Sequence, residues 1–231
     1  MSLSLGIDSS GIHVIVTNMK SSPDVDSKRP YRMRARAEMA EQTHQRIIES
    51  LIALFAERWL DDVSLADVAD RAGVTVQTVL RRFGSKDGLL AAAGEALRQQ
   101  VEAQRGAAPV GDVDGAIQNL LDHYEEVGDL VLRALAQEGA HAPIRVLTDQ
   151  GRRLHHAWVE RTFAPQLAAV SGPVHERLRA QLIAMTDVYV WKLLRRDLGL
   201  TRPQAEETLR EMIDGVLRVK GANDADDEPN R

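Results

Sequence analysis

No cysteine occurs in the chain. That excludes disulfides, thiolate catalysis, zinc knuckles and iron–sulfur ligation, and it is compatible with a reducing cytoplasm. Aromatic residues are scarce, at 4% of 231 residues, too few to suit the core of a β-sandwich or barrel. Glycine and proline are also sparse, at 16 and 8. The dominant Ala, Leu, Arg, Glu and Val favour helix instead. No apolar run approaches the roughly 18 residues of a membrane span. The stretch GIHVIVT at residues 11–17 is too short, and the residues before it lack the basic character of a signal peptide.

Catalytic signatures are missing as well. There is no G-x-S-x-G elbow, no H-E-x-x-H and no Walker sequence. FGSKDG resembles a phosphate loop only superficially, since its Lys follows Ser and no strand precedes it. His155 and His156 are adjacent, so on a helix they point about 100° apart and do not chelate together. Glu138-x-x-His141 has the spacing of half a di-iron site, but a second half is missing, and Gly139 and Pro143 suggest that the helix has ended. The expectation is no enzyme, no metal and no cofactor.

What is present suits one or two globular units, with 44% hydrophobic residues. The formal net charge of −5 is unevenly spread. Residues 28–90 carry 11 Lys/Arg against 9 Asp/Glu, whereas residues 91–231 carry 17 against 22. A mildly basic front on an acidic body resembles a DNA-contacting module joined to something else. Residues 1–38 contain Ser-Ser, Ser-Pro and Arg-Pro dipeptides without helical periodicity and read as an arm of little order. Within it GIHVIVT reads as a short strand lacking a partner. KRPYRMRAR at residues 28–36 reads as a solvated tail or as an arm touching phosphates or a minor groove. Met19 and Met33 are alternative natural starts, so residues 1–18 need not belong to the natural protein.

Helical periodicity begins at about Met39 and runs to Arg58, with Ile47, Ile48, Leu51, Ile52, Phe55 and Trp59 forming one apolar stripe. Ser64 opens a second helix, with Asp67 as its reciprocal capping partner and Val63 and Val68 at the staple positions. Gly73 supplies a left-handed exit. Thr75 caps a third helix, with Val74 and Val79 repeating the staple, and Ser85 caps a fourth. Two short helices joined around a glycine form a helix-turn-helix. Ala69 lets the helices cross, and Val79 plugs into the core. The first turn of the third helix then presents Thr75, Val76, Gln77 and Thr78, which suit base edges and thymine methyls. Ser64, Thr75, Thr78, Arg81, Arg82 and Lys86 are placed for phosphate oxygens, and the N-termini of helices two, three and four add their N–H dipoles. The plain reading of this pattern is an αα-corner with ordinary caps.

The segments RIIESLIALFAERWLDDVSLADVA and SLADVADRAGVTVQTVLRRFGSKDGLL resemble the DNA-binding signature of the TetR family of bacterial transcriptional regulators, over roughly residues 40–95. The resemblance implies a homodimeric, all-helical repressor whose C-terminal domain binds a small inducer. It also implies a phosphate contact for Lys86. The family usually has Tyr where this chain has Leu80, often His or Tyr at Arg82, and often Gly at Gln77. The usual Tyr phosphate contact is thus absent, and Gln77 makes a base-specific contact more plausible.

The expected architecture is all-α: an arm at 1–38, a three-helix DNA-binding domain at 39–90, a helical ligand-binding and dimerisation domain at 91–220, and a disordered acidic tail at 221–231. Helices are expected at about 113–126, 128–138, 144–163, 174–196 and 202–219, with Thr201 as an N-cap and Pro203 in a first turn. Leu178, Leu182, Met185 and Tyr189 form one stripe, and Ala205, Leu209, Met212, Ile213 and Val216 another. Both read as dimer-interface material, shared with intramolecular core. Candidate ligand-lining residues are Tyr124, His155, Trp158, Met185, Tyr189 and Trp191, which suit an apolar or aromatic inducer. Asp187 faces solvent or a cationic ligand. The function expected is a cytoplasmic, ligand-responsive repressor that binds a palindromic DNA operator as a homodimer. The alternative is a helical small-molecule carrier or interaction module with a vestigial helix-turn-helix.

Overall fold

The computed structural model describes residues 25–223. The strand expected at residues 11–17 and all but residues 221–223 of the tail expected at 221–231 lie outside them, and those three residues belong to the last helix. Among the described residues ten α-helices follow in order: α1 (Val25–Glu57), α2 (Leu65–Ala72), α3 (Val76–Phe83), α4 (Lys86–Gly106), α5 (Val113–Gln137), α6 (Ala142–Thr162), α7 (Ala164–Ala168), α8 (Gly172–Met185), α9 (Val188–Lys192) and α10 (Arg202–Asn223). A 3-10 turn at Leu60–Asp62 precedes α2, and a π-helical turn at Leu193–Asp197 follows α9. No strand occurs among the described residues, and none of their helices is long and apolar enough to cross a membrane. The architecture is the all-α one expected.

Packing divides the chain at Thr43. The described part of the first unit is the 25–43 stretch of α1, where the Thr43 hydroxyl donates to the Met39 carbonyl at 2.7 Å. The helix starts at Val25 rather than near Met39. RMRARAEMAEQ at residues 32–42 explains much of the difference, being made largely of strong helix formers with no glycine or β-branched residue. Residues 25–38, read from sequence as part of an arm, are therefore helical.

The second unit begins at His44 and holds two cores. In the first, Ile47, Ile48, Leu51 and Phe55 of α1 pack with Val68 and Ala69 of α2, Val79 of α3, Leu89 and Leu90 of α4, and Ile144 of α6. Trp59 does not complete the α1 stripe and is 52% exposed. The helix ends at Glu57 and Trp59 is extended (φ −67°, ψ 149°), so a four-residue spacing from Phe55 no longer keeps it on one face.

The second core joins α5, α6 and α8 to α10 through Ile117, Leu121, Trp158, Phe163, Leu182, Trp191 and Ile213. The separate helices expected at 113–126 and 128–138 are one helix, α5. Gly128 does not break it; the Trp191 ring lies where a side chain would stand, its nearest atoms 2.5 and 2.6 Å from an added methyl. The helix expected at 174–196 is instead interrupted after Met185. There the Thr186 hydroxyl turns back to the Leu182 carbonyl at 2.6 Å, and the Asp187 carboxylate caps α9 by accepting the Tyr189 N–H at 2.9 Å. At α10, Thr201 donates both its N–H and its hydroxyl to Gln204 Oε1 (2.9 and 2.8 Å). Much of the two stripes read as dimer interface is consumed within the chain. Leu178, Leu182, Ala205, Leu209 and Ile213 are fully buried in its own core, Met185 and Val216 pack against it, and Met212 is half-buried. Period alone does not distinguish a stripe that meets its own chain from one that meets a partner.

Candidate nucleic-acid interface and internal cavity

The turn between α2 and α3 is built from contacts a few residues apart. Ser64 Oγ accepts the Asp67 N–H at 3.1 Å, and Asp67 Oδ2 accepts the Ser64 N–H at 2.8 Å, so two free donors of the helix start are satisfied reciprocally. Gly73 takes a left-handed conformation (φ 67°, ψ 41°), and the Val74 N–H closes the exit on the Ala69 carbonyl at 2.9 Å. Thr75 Oγ1 then accepts the Thr78 N–H at 3.2 Å and starts α3, while the two threonine hydroxyls pair at 2.9 Å.

Val79 is completely buried. Its burial anchors α3, Gln77 faces away from it, and Thr75 and Val76 stand exposed with Gln77 at the free start of the helix, Thr78 being half-exposed. Arg81 is exposed, and Arg82 is half-buried with its Nε lacking a hydrogen-bond partner. Phe83 stacks on His44 at 4.7 Å between ring centroids. Leu80, where the family usually has Tyr, is half-buried and offers no polar group. Lys86, expected to meet phosphate, donates to the Leu60 carbonyl at 2.5 Å. An ammonium has three donors, so two remain for an anion. Arg71 is not available, because it clamps Glu57 with two hydrogen bonds (2.9 and 2.7 Å) that hold the Glu57 carboxyl below its usual range.

A cavity of about 420 Å³ lies behind this domain. Leu51, Ile52 and Phe55 of α1 form one side, with Leu90, Leu97 and Val101 of α4, His123 and Tyr124 of α5, and Leu147, His155 and Trp158 of α6. Of the residues expected to line a pocket, Tyr124, His155, Trp158 and Tyr189 do so. Met185 and Trp191 are not among the lining. Met185 packs against the second core, and Trp191 is buried over Gly128. Asp187 borders the cavity but serves as the α9 cap.

Sequence reasoning missed Arg105 and His123. Arg105 is 7% exposed, and its guanidinium carbon lies 4.6 Å from the Trp158 ring centroid and 5.0 Å from that of Tyr124. Such stacking is worth roughly 2 kcal/mol in a desolvated site. The available signal was the spacing of Leu90, Gly94, Leu97 and Val101, an otherwise apolar face of α4 that ends on an arginine. Burial, together with the nearby Arg105 charge, pulls His123 down to about 3 and His155 down to about 4, so both rings are neutral at pH 7. His155 Nε2 lies 3.2 Å from the Ile183 carbonyl and 3.3 Å from the Thr186 hydroxyl, and its Nδ1 has no partner. Burial raises the Tyr124 phenol, which stays protonated and donates to the Thr186 carbonyl at 3.2 Å.

Residues 47–93 match the family model described as bacterial regulatory proteins, tetR family. No curated protein matches the chain. Among solved structures, a transcriptional regulator from Rhodococcus sp. Rha1 shares 20% identity at a TM-score of 0.60, covering 76% of this chain and 96% of that one. A TetR-family regulator from Streptomyces coelicolor shares 20% identity at a TM-score of 0.55, covering 78% and 84%. A TetR regulator from Haloarcula marismortui shares 19% at 0.55, covering 76% and 97%. At these identities the structural likeness is one of fold, while the match at 47–93 is one of sequence. Residues 47–93 are thus similar to the domain described as bacterial regulatory proteins, tetR family, within a chain whose fold is like that of solved TetR-family regulators.

Proposed function

We propose that the protein is a ligand-responsive transcriptional repressor of the cytoplasm. As a homodimer it binds a palindromic operator through α3 and leaves the DNA when a small molecule fills the cavity. The observation that carries this reading is an exposed first turn on a buried anchor. Val79 is locked into the domain core, while Thr75, Val76 and Gln77 project freely from the start of α3, in the manner of a recognition helix in a major groove. Gln77 offers an amide to a base edge. Thr78, Arg81, Arg82 and the two remaining Lys86 donors, with Ser64 at the start of α2, supply phosphate contacts. One such helix reads only a few base pairs, so a two-fold pair of subunits supplies the second half-site.

The cavity supports control by a ligand. Leu51, Phe55 and Leu90 line it and also belong to the core of the DNA-binding domain. An apolar occupant favours whichever arrangement of those helices gives it the better fit, and the populations of DNA-competent and incompetent dimers shift accordingly.

The test is selection of bound duplexes from a random pool, followed by gel shift over a salt series. The expected motif is an inverted repeat whose half-site centres lie one helical turn, about 34–36 Å, or a multiple of it apart. Stoichiometric binding of a small apolar compound with no salt-dependent affinity for DNA would instead identify a carrier.

A further inference from the structure

One charged group in the cavity has neither a carboxylate partner nor a full set of hydrogen bonds. Arg105 is buried between the faces of Tyr124 and Trp158, and its Nη1 has no hydrogen-bond partner. Among the described residues no carboxylate pairs with it. The other arginines of the lining are satisfied: Arg98 by Glu95 and Glu102, Arg152 by Glu138 and Asp149, and Arg161 by the Arg105 and Ala108 carbonyls. The two carboxylates of the lining are also engaged, Glu102 by Arg98 and Asp187 by the Tyr189 N–H. Aromatic faces stabilise a guanidinium but accept none of its in-plane hydrogen bonds, and the Tyr124 hydroxyl that also engages it is uncharged and leaves Nη1 open. A buried cation with an open donor and no anion is an unfavourable arrangement to keep. It is compensated when the missing anion arrives with a ligand.

We infer that the cavity binds an organic acid, its carboxylate on Arg105 and its apolar body along Leu51, Phe55, Leu97 and Leu147. This rests on the reading of the cavity as a ligand site and adds the class of ligand. The planar guanidinium fork matches a carboxylate with two parallel hydrogen bonds. His155 Nδ1, without a partner on a ring that also lines the cavity, is a second polar point for the same head group. Both neighbouring histidines are neutral at pH 7, which leaves the guanidinium as the charge that selects the ligand.

The experiment titrates the purified full chain, without DNA, with decanoate and 2-naphthoate and with their uncharged counterparts, decanamide and 2-naphthamide. Binding is followed by calorimetry. Each acid is expected to saturate the protein and to bind at least about tenfold tighter than its amide, the scale of one charge-assisted contact. Arg105→Met should erase that preference, while Arg105→Lys keeps part of it. Equal affinity of acids and amides, an acid preference that survives in Arg105→Met, or no saturable binding by either acid overturns the inference. If the Met variant loses its helical circular dichroism, the acid-to-amide comparison on the parent and on Arg105→Lys decides alone. Because DNA is absent, failure here leaves the DNA-binding reading standing, and failure of operator binding leaves this result standing.

Discussion

Val79 and Gln77 lie two residues apart on α3 and face opposite ways, one wholly buried and one exposed. The first holds the helix and the second is free to read what it meets. Val79→Ala removes buried methyls and should lower the unfolding free energy by about 2 kcal/mol, measured by urea titration. Thr75→Ala removes the α3 cap and its pairing with Thr78, with an expected cost of about 1 kcal/mol in the same measurement. The cavity histidines set a pH dependence. His123 and His155 are held neutral by burial, about 3 and about 4 against an ordinary 6.5. The unfolded chain therefore takes up protons before the folded one does. Their contribution is complete above pH 6.5 and is lost as the pH falls towards 4, at up to about 1.4 kcal/mol per pH unit for each ring. Carboxylates that hydrogen bonds hold down, such as Glu57 and Glu138, lose their contributions only below about 4.5. Urea midpoints measured between pH 6.5 and 5 should fall in the parent and fall less steeply in His123→Gln.

Among the elements, those with local causes were legible and those with distant causes were not. The caps at Ser64, Thr75 and Ser85 and the bend at Gly73 each depend on residues within four positions, and all four are present as expected. Trp59 escaped the same reasoning because α1 ends two residues before it. The seat of Gly128 depends on Trp191, far along the chain, so a glycine beside the expected break holds an indole ring inside one continuous helix. Arg105 was hidden likewise: spacing placed it on an apolar face, but only the fold brings Tyr124 and Trp158 around it. Gly128→Ala should destabilise the protein by roughly 1–3 kcal/mol, and combination with Trp191→Leu should recover part of the loss, which a double-mutant cycle measures.

At the scale of the molecule, Leu60 helps tie the helix-turn-helix to the body. The Leu60 N–H donates to Gln137 Oε1 at the end of α5 (2.8 Å), and the Leu60 carbonyl accepts from Lys86 at the start of α4. Gln137 is buried, so Gln137→Ala leaves that N–H without its partner at an expected cost of about 1–3 kcal/mol. It should also weaken the effect of a cavity ligand on DNA affinity, because the cavity reaches the same helices. The central claim is that the first turn of α3 reads bases while the arginines at its end grip the backbone. The measurement that tests it most directly is DNA affinity across a salt series for the parent, Gln77→Ala and Arg82→Ala, on selected and scrambled duplexes. The account predicts that Arg82→Ala weakens both duplexes alike and reduces the salt slope by about one per protomer, while Gln77→Ala keeps the slope and narrows the gap between the duplexes. Two variants that bind both duplexes as the parent does, at every salt concentration, would contradict it.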